Sequence, residues 1–254
     1  MRIKFIIPFP FDEQGIANRA AQIPRELLGP DTEVECIPVR NSATLVDCYY
    51  EDTIFDIYIT EAGLRAEEEG YDAVIMDTVS DSGLYALRSR LSIPVIGPGL
   101  VSYCVGAMLG KKFSIITMWD KWIHLYEKNL DTYRLWSKCA SIRSVNIPPD
   151  VEALFAGKEE EIFQKLTAEA RAAIEDDGAD VILLGSTTMH QAGDYMSEHL
   201  PAPVINPGPV AIKLTESIVQ LGLTHSKVAF PSPTTLQDEK FFSLIGAGEQ
   251  VAAG

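Results

Sequence analysis

At 254 residues the chain is long enough for one large domain or two smaller ones, each with its own core. Apolar residues make up 46% and charged residues 22%, the balance of an ordinary water-soluble globular protein. The net charge of −15, with no Lys/Arg stripe, excludes nucleic acid and anionic membrane as expected partners. A small anionic ligand stays open, because local dipoles can hold one.

The opening MRIKFIIPFPF does not read as a signal peptide, since its apolar stretch is short and runs into Asp12 and Glu13. No run approaches the roughly 18 apolar residues of a membrane span. Cys36, Cys48, Cys104 and Cys139 lack metal-ligand spacing, so they are expected to be reduced thiols of a cytoplasmic protein. With no phosphate loop, dinucleotide fingerprint or metal-ligand cluster, neither a cofactor nor a metal is expected.

Short apolar runs alternate with amphipathic stretches, which signals βα units and a mainly parallel sheet. Strands are expected at Arg2 to Ile7 and Thr32 to Val39, then a helix from Thr53 to Glu69 ended by Gly70. Ala73 to Met76 reads as a strand buried on both faces. A helix over Asp81 to Arg90, a strand at Pro94 to Ile96 and a helix over Val101 to Leu109 follow. Phe113 to Ile116 is a further strand, followed by Trp119, Trp122 and Tyr126 at helical spacing, which suits core packing or an oligomer contact. In the second half, Ser141 to Val145, Val181 to Leu184 and Pro203 to Ile205 read as strands. Glu159 to Glu175, Met189 to His199 and Val210 to Leu221 read as helices, and the tail from Pro231 as a surface wrap.

The two halves match. GYDAVIMDTVSDSG from Gly70 has the pattern of DGADVILLGSTTMH from Asp177, and IPVIGPG from Ile93 that of APVINPG from Ala202. Asp72 and Asp180 are 108 residues apart, Pro94 and Pro203 109, so both matches recur in the same order at nearly the same offset. An internal duplication is the expectation: an α/β fold of two pseudo-symmetric lobes, each a central parallel sheet flanked by helices. The lobes are expected at 1–110 and 111–207, with a helix at 208–222 packing back on the first and a wrapping tail at 228–254.

In such sheets ligands bind beyond the carboxyl ends of the strands. Each half puts hydroxyls there: Thr78, Ser80 and Ser82 in the first, Ser186, Thr187 and Thr188 in the second. Each turn leads into a helix whose first N–H groups lack intrahelical partners and favour an anion. The same residues could be plain N-caps, but their repetition at matched strand ends favours a shared cleft. Val79, between Thr78 and Ser80, is expected to border it.

GYDAVIMDTVSDSGL with IPVIGPG resembles the hydantoin racemases of the aspartate/glutamate racemase superfamily, where a strand runs into Ala-Cys-Phe-Gly-Asp-Pro-Gly-Leu and then Ile-Pro-Val-Val-Gly. DGADVILLGSTTM is similar to the second active strand, which reads Leu-Gly-Cys-Ala-Gly-Met, and PVINPGPVAIKLTESIVQLGLTHSK to the last helix. The resemblance covers roughly Val46 to Lys227 and implies the two-lobed fold, a small-molecule substrate, no cofactor and a homo-oligomer. It also places Thr78 and Ser186 at the positions of the two cysteines that exchange protons with the substrate's Cα. A thiol near pKa 8.5 is readily tuned to a thiolate, and an aliphatic hydroxyl is not. The family's early Asn-Pro-Asn loop is here Ile7-Pro8-Phe9-Pro10, an apolar wall.

The expected reaction is therefore altered chemistry, such as hydrolysis, decarboxylation or isomerisation, on a small carboxylate, amide or cyclic ureide. Asp77, at the strand end, is a candidate general base, and His190 a candidate acid/base group. The resemblance further puts Tyr50, Asp81 and Thr117 at the substrate site, and Asp81 also reads as an N-cap. Two alternatives stay open: a racemase whose cysteines were engineered to hydroxyls, and a catalytically silent binder.

Overall fold

The computed structural model describes residues 1–149 and 160–252, through the backbone alone at 160, 161, 190 and 247–252. Strands β1 (Arg2–Ile7), β2 (Glu33–Pro38), β3 (Ala73–Met76) and β4 (Val95–Ile96) form one parallel sheet, ordered β2-β1-β3-β4. Strands β5 (Phe113–Thr117), β6 (Cys139–Ser144), β7 (Val181–Leu184) and β8 (Val204–Ile205) form a second, ordered β6-β5-β7-β8. Each sheet takes its strands in the same sequence. The duplicated pattern has folded into two α/β lobes.

Strand alternation distributes each sheet over two cores. Ile6, Val74 and Met76 point to one face of the first sheet, and Phe5, Ile7 and Ile75 to the other. Likewise Ile116, Ile182 and Leu184 face one core of the second sheet, with Phe113, Ile115 and Leu183 in the opposite one. Helices cover both faces, which is why β3 and β7 are buried throughout. Those two continuous apolar runs are the central strands whose ends carry the hydroxyl turns.

Several helix boundaries differ from the sequence expectation. Helix α1 (Glu13–Ala21) has too few apolar residues to show a period, but Asp12 caps it by accepting from the Gly15 N–H at 2.8 Å. Helix α2 (Tyr49–Gly63) starts earlier than expected and gives way to turns before Gly70. Helix α3 (Leu84–Arg90) begins at Gly83, whose φ of 76° suits glycine, and not at Asp81. Helix α4 (Pro98–Leu109) opens on a proline at its first turn, where no N–H is needed.

Helix α5 (Ile123–Tyr133) carries Trp122 at its start, which packs against cores of both lobes. Helices α6 (Glu160–Glu175) and α7 (His190–His199) belong to the second lobe. Helix α8 (Pro207–Gln220) packs on α4 and against β3. The tail holds α9 (Asp238–Ala252), anchored by an Arg90–Asp238 ion pair at 2.7 Å, with Phe241 and Phe242 against the first-lobe core. Among the described residues no helix is long and apolar enough to cross a membrane.

Candidate active site

Both hydroxyl turns fold into the same local motif. After β3, the Ser80 N–H donates to Thr78 Oγ1 at 3.3 Å and the two hydroxyls lie 2.9 Å apart. After β7, the Thr188 N–H donates to Ser186 Oγ at 3.3 Å, again with 2.9 Å between hydroxyls. Both turns face one cleft, about 730 Å³ of space counted together with the open solvent at its mouth. Thr78, Val79 and Ser80 line one side, and Ser186, Thr187 and Thr188 the other.

The walls are apolar. Pro8 and Phe9 follow β1, Val46 and Phe55 come from the α2 region, and Trp122, Leu125 and Tyr126 from α5. Trp122 and Tyr126 pack in the cores, as their helical spacing suggested, and both also line the cleft with Leu125. Hydrogen bonds tie the cleft's walls together. Thr187 Oγ1 donates to the Asp77 carbonyl at 3.1 Å, Asn129 Nδ2 to the Val79 carbonyl at 2.8 Å, and Trp122 Nε1 to the Leu45 carbonyl at 2.8 Å.

Four expected site residues stand elsewhere or do something else. Asp77 borders the cleft, but Arg19 of α1 grips both its oxygens, at 2.6 and 2.8 Å, with the two side chains 2% and 1% exposed. A carboxylate in two charge-assisted bonds to a permanent cation has little capacity left as a general base. Burial pulls the Arg19 guanidinium down, and the Asp77 charge and hydrogen bond outweigh it, so its pKa is raised. Asp81 is buried away from the cleft and caps α4, accepting from the N–H groups of Gly99 at 2.8 Å and Leu100 at 2.7 Å. Burial raises its pKa to about 6, although Tyr133 and the two amides favour the ionised form.

Tyr50 is 75% exposed on the first turn of α2 and does not reach the cleft, because it lies on that helix's solvent face. Thr117 is buried behind Tyr126, which it meets at 2.7 Å; the phenol stands between it and the cavity. The side chain of His190 lies outside the described residues. Arg19 was missed altogether, since a lone arginine in a weakly patterned segment gives no sign that a strand-end aspartate will claim it.

The matched residues place the chain among known proteins. The family model described as Asp/Glu/Hydantoin racemase matches residues 16–215. The chain belongs to that family. It is 28% identical to the hydantoin racemase of Pseudomonas sp. (strain NS671) over 215 residues, 85% of this chain and 84% of that one. Its fold matches the allantoin racemase from Klebsiella pneumoniae with a TM-score of 0.82 at 27% identity, covering 93% of this chain and 96% of that one. Arylmalonate decarboxylase shares the fold, with a TM-score of 0.60 at 18% identity over 86% of this chain and 92% of that one.

Within this racemase-family cleft the titratable side chains among the described residues are Asp77 and Tyr126. Burial pushes the Tyr126 phenol up, against the effect of its Thr117 bond. No described cysteine lines the cleft. Cys36 and Cys139 are buried, with the Cys36 thiol pushed up to about 12 by burial, and Cys48 and Cys104 lie on the surface. No described group of His, Cys, Asp and Glu could hold a metal ion.

Proposed function

We propose that the cleft binds a small carboxylate bearing an apolar substituent and turns it over through an enolate, by decarboxylation. The observation carrying this reading is an apolar chamber with paired hydroxyl turns and no uncommitted base among its described residues. Two-base racemisation requires two groups that ionise near neutrality, and Thr78 and Ser186 are aliphatic hydroxyls. Hydrolysis requires an activated water, and the nearby carboxylate, Asp77, is committed to Arg19. Decarboxylation requires neither. Loss of CO2 leaves an electron pair delocalised onto the retained carboxylate, and apolar walls favour the spreading of that charge.

Such chemistry needs donors aimed at the developing oxyanion and a proton for the α-carbon. The hydroxyls of Thr78 and Ser186 supply candidates for both. Among the described residues no group accepts from the N–H of Val79 or Thr187, which leaves them for the substrate carboxylate. Pro8, Phe9 and Phe55 suit an aromatic or branched substituent. In this reading the cleft lies between lobes of residues 1–110 and 111–207.

Phenylmalonate is the test substrate. The protein should release CO2 and leave phenylacetate, with Thr78→Val and Ser186→Ala each lowering kcat about 10²–10³-fold, the usual effect of losing one oxyanion donor. A second reading, racemisation of a cyclic ureide, is favoured by the names of the relatives at 27–28% identity. Loss of optical rotation from an L-5-substituted hydantoin, with no CO2 from any malonate, would replace the first reading by the second.

A further inference from the structure

Behind Thr78 the hydroxyls continue beyond what the turn requires. Ser80 Oγ lies 2.8 Å from Ser82 Oγ, which reaches Asp52 Oδ1 at 3.4 Å. Lys128 Nζ donates to the other Asp52 oxygen at 2.7 Å. Asp56, one turn further along α2, accepts from the N–H of Gly83, the residue after Ser82, at 2.7 Å. Ser80 and Ser82 are 3% and 1% exposed. Ser80 borders the cleft on one side and, on the other, a second pocket lined by Asp56, Thr60, Lys128 and Thr132. The Ser186–Thr188 turn makes the same motif with two hydroxyls, so Ser82 and the charged cluster are not needed to fold it.

We propose that Ser80 and Ser82 are a proton relay joining Thr78 in the cleft to the Asp52–Asp56–Lys128 cluster, of which Asp56 and Lys128 line the outer pocket. Each hydroxyl both donates and accepts, and in both inter-hydroxyl bonds of the line either oxygen can be the donor. Ser82 donates to the Asp52 carboxylate, and protonation of that carboxyl reverses this last link. Its role as a proton source for an enolate rests on the decarboxylation reading; its connectivity does not. In the forward step the α-carbon takes the Thr78 Oγ proton, Thr78 takes that of Ser80, and Ser80 that of Ser82. Ser82 is refilled by a protonated carboxyl, which water in the outer pocket reloads. The Ser82–Asp52 link at 3.4 Å is the weakest of the line.

The cluster suits a reservoir. Burial raises the Asp56 pKa, Lys128 opposes that, and the Asp52 charge adds to it. The other titratable groups facing this pocket are Asp81, Tyr85 and Tyr133. Asp81 and Tyr133 hydrogen-bond each other at 2.7 Å, and Asp81 is turned to the start of α4.

The experiment follows the methyl 13C resonance of Thr78 through a pH titration of the whole, ligand-free protein. It should move with the carboxyl titration in the unmodified chain and in Ser82→Thr, and stop moving in Ser82→Ala and in Asp52→Asn. A through-space field from the cluster would survive Ser82→Ala, so persistence of the shift there overturns the relay, as does a Thr78 resonance that never titrates. With phenylmalonate as substrate, Ser82→Ala should lower kcat about 10–100-fold at unchanged KM, toward the range of a lost proton-transfer group. The bowed dependence of rate on D2O fraction should straighten with it. Full turnover and an unchanged D2O curve in Ser82→Ala overturn the relay. Absence of phenylmalonate turnover by the unmodified protein defeats the decarboxylation reading alone, and the resonance titration then decides the relay.

Discussion

The two turns are alike where they face the ligand and unlike behind it. Hydroxyl spacing and the amide bond are the same to within the stated distances, 2.9 and 3.3 Å on both sides. One position before the first hydroxyl, the first lobe has Asp77 tied to Arg19, and the second has Gly185. A Cβ on Gly185 would stand 2.7 Å from the Tyr126 hydroxyl, which donates to the Gly185 carbonyl; in the second lobe the phenol fills the space. At the next helix start, Asp81 caps α4, while among the described residues no side chain caps α8 and the side-chain oxygen Oδ1 of Asn206 is buried without a partner. A duplicated scaffold has kept the pair of grips and given one of them a charged backing.

The largest expected effect lies in that backing. Arg19→Ala leaves the Asp77 carboxylate buried and unpaired, so unfolding in urea should show a loss of about 3–5 kcal/mol. Arg19→Ala with Asp77→Asn should recover part of it, because the uncompensated charge is gone. If the single variant is as stable as the parent, the two lobes do not differ in the way described.

Next is the pH dependence set by Asp81, whose pKa is raised from 3.8 to about 6 by burial. Between those values the folded chain holds a proton that the unfolded chain releases. The contribution is therefore complete below about 4 and is lost as the pH rises past 6, on the order of 3 kcal/mol in all. Asp81→Asn should flatten that slope in a series of melts. An unaltered slope would assign it to another carboxyl.

The smallest effect tests the second lobe. Gly185→Ala forces Tyr126 away from the 2.7 Å contact and should cost about 1–3 kcal/mol by overpacking. Because Tyr126 lines the cleft, the binding of phenylmalonate should weaken with it, whereas a distant overpacked site would lower stability alone.

Much of the site was legible because it repeats. Thr78, Ser80, Ser186 and Thr188 follow apolar runs at matching offsets, and a run buried on both faces must end at the sheet's carboxyl edge. Pro8 and Phe9 were expected only through the family resemblance, at the place of its early loop after β1. Asp81 was half legible: a turn aspartate reads as a cap, but which helix it caps depends on a backbone φ of 54° that turns it toward α4. Arg19, Asp52 and Lys128 gave no local signal.

The sequence by itself determined the alternation of strands and helices, the duplication and the residues at the strand ends, since each is a matter of period and spacing along the chain. The tertiary structure decided which charges meet. Arg19 and Asp77 are 58 residues apart, and Lys128 and Asp52 76, yet each pair bonds at close range. Hydrophobic periodicity fixes which face of an element is buried, but a buried charge must take whatever partner the packing of distant elements delivers. That choice turned a presumed base into half of an ion pair and put a charged cluster at the far end of a line of serines.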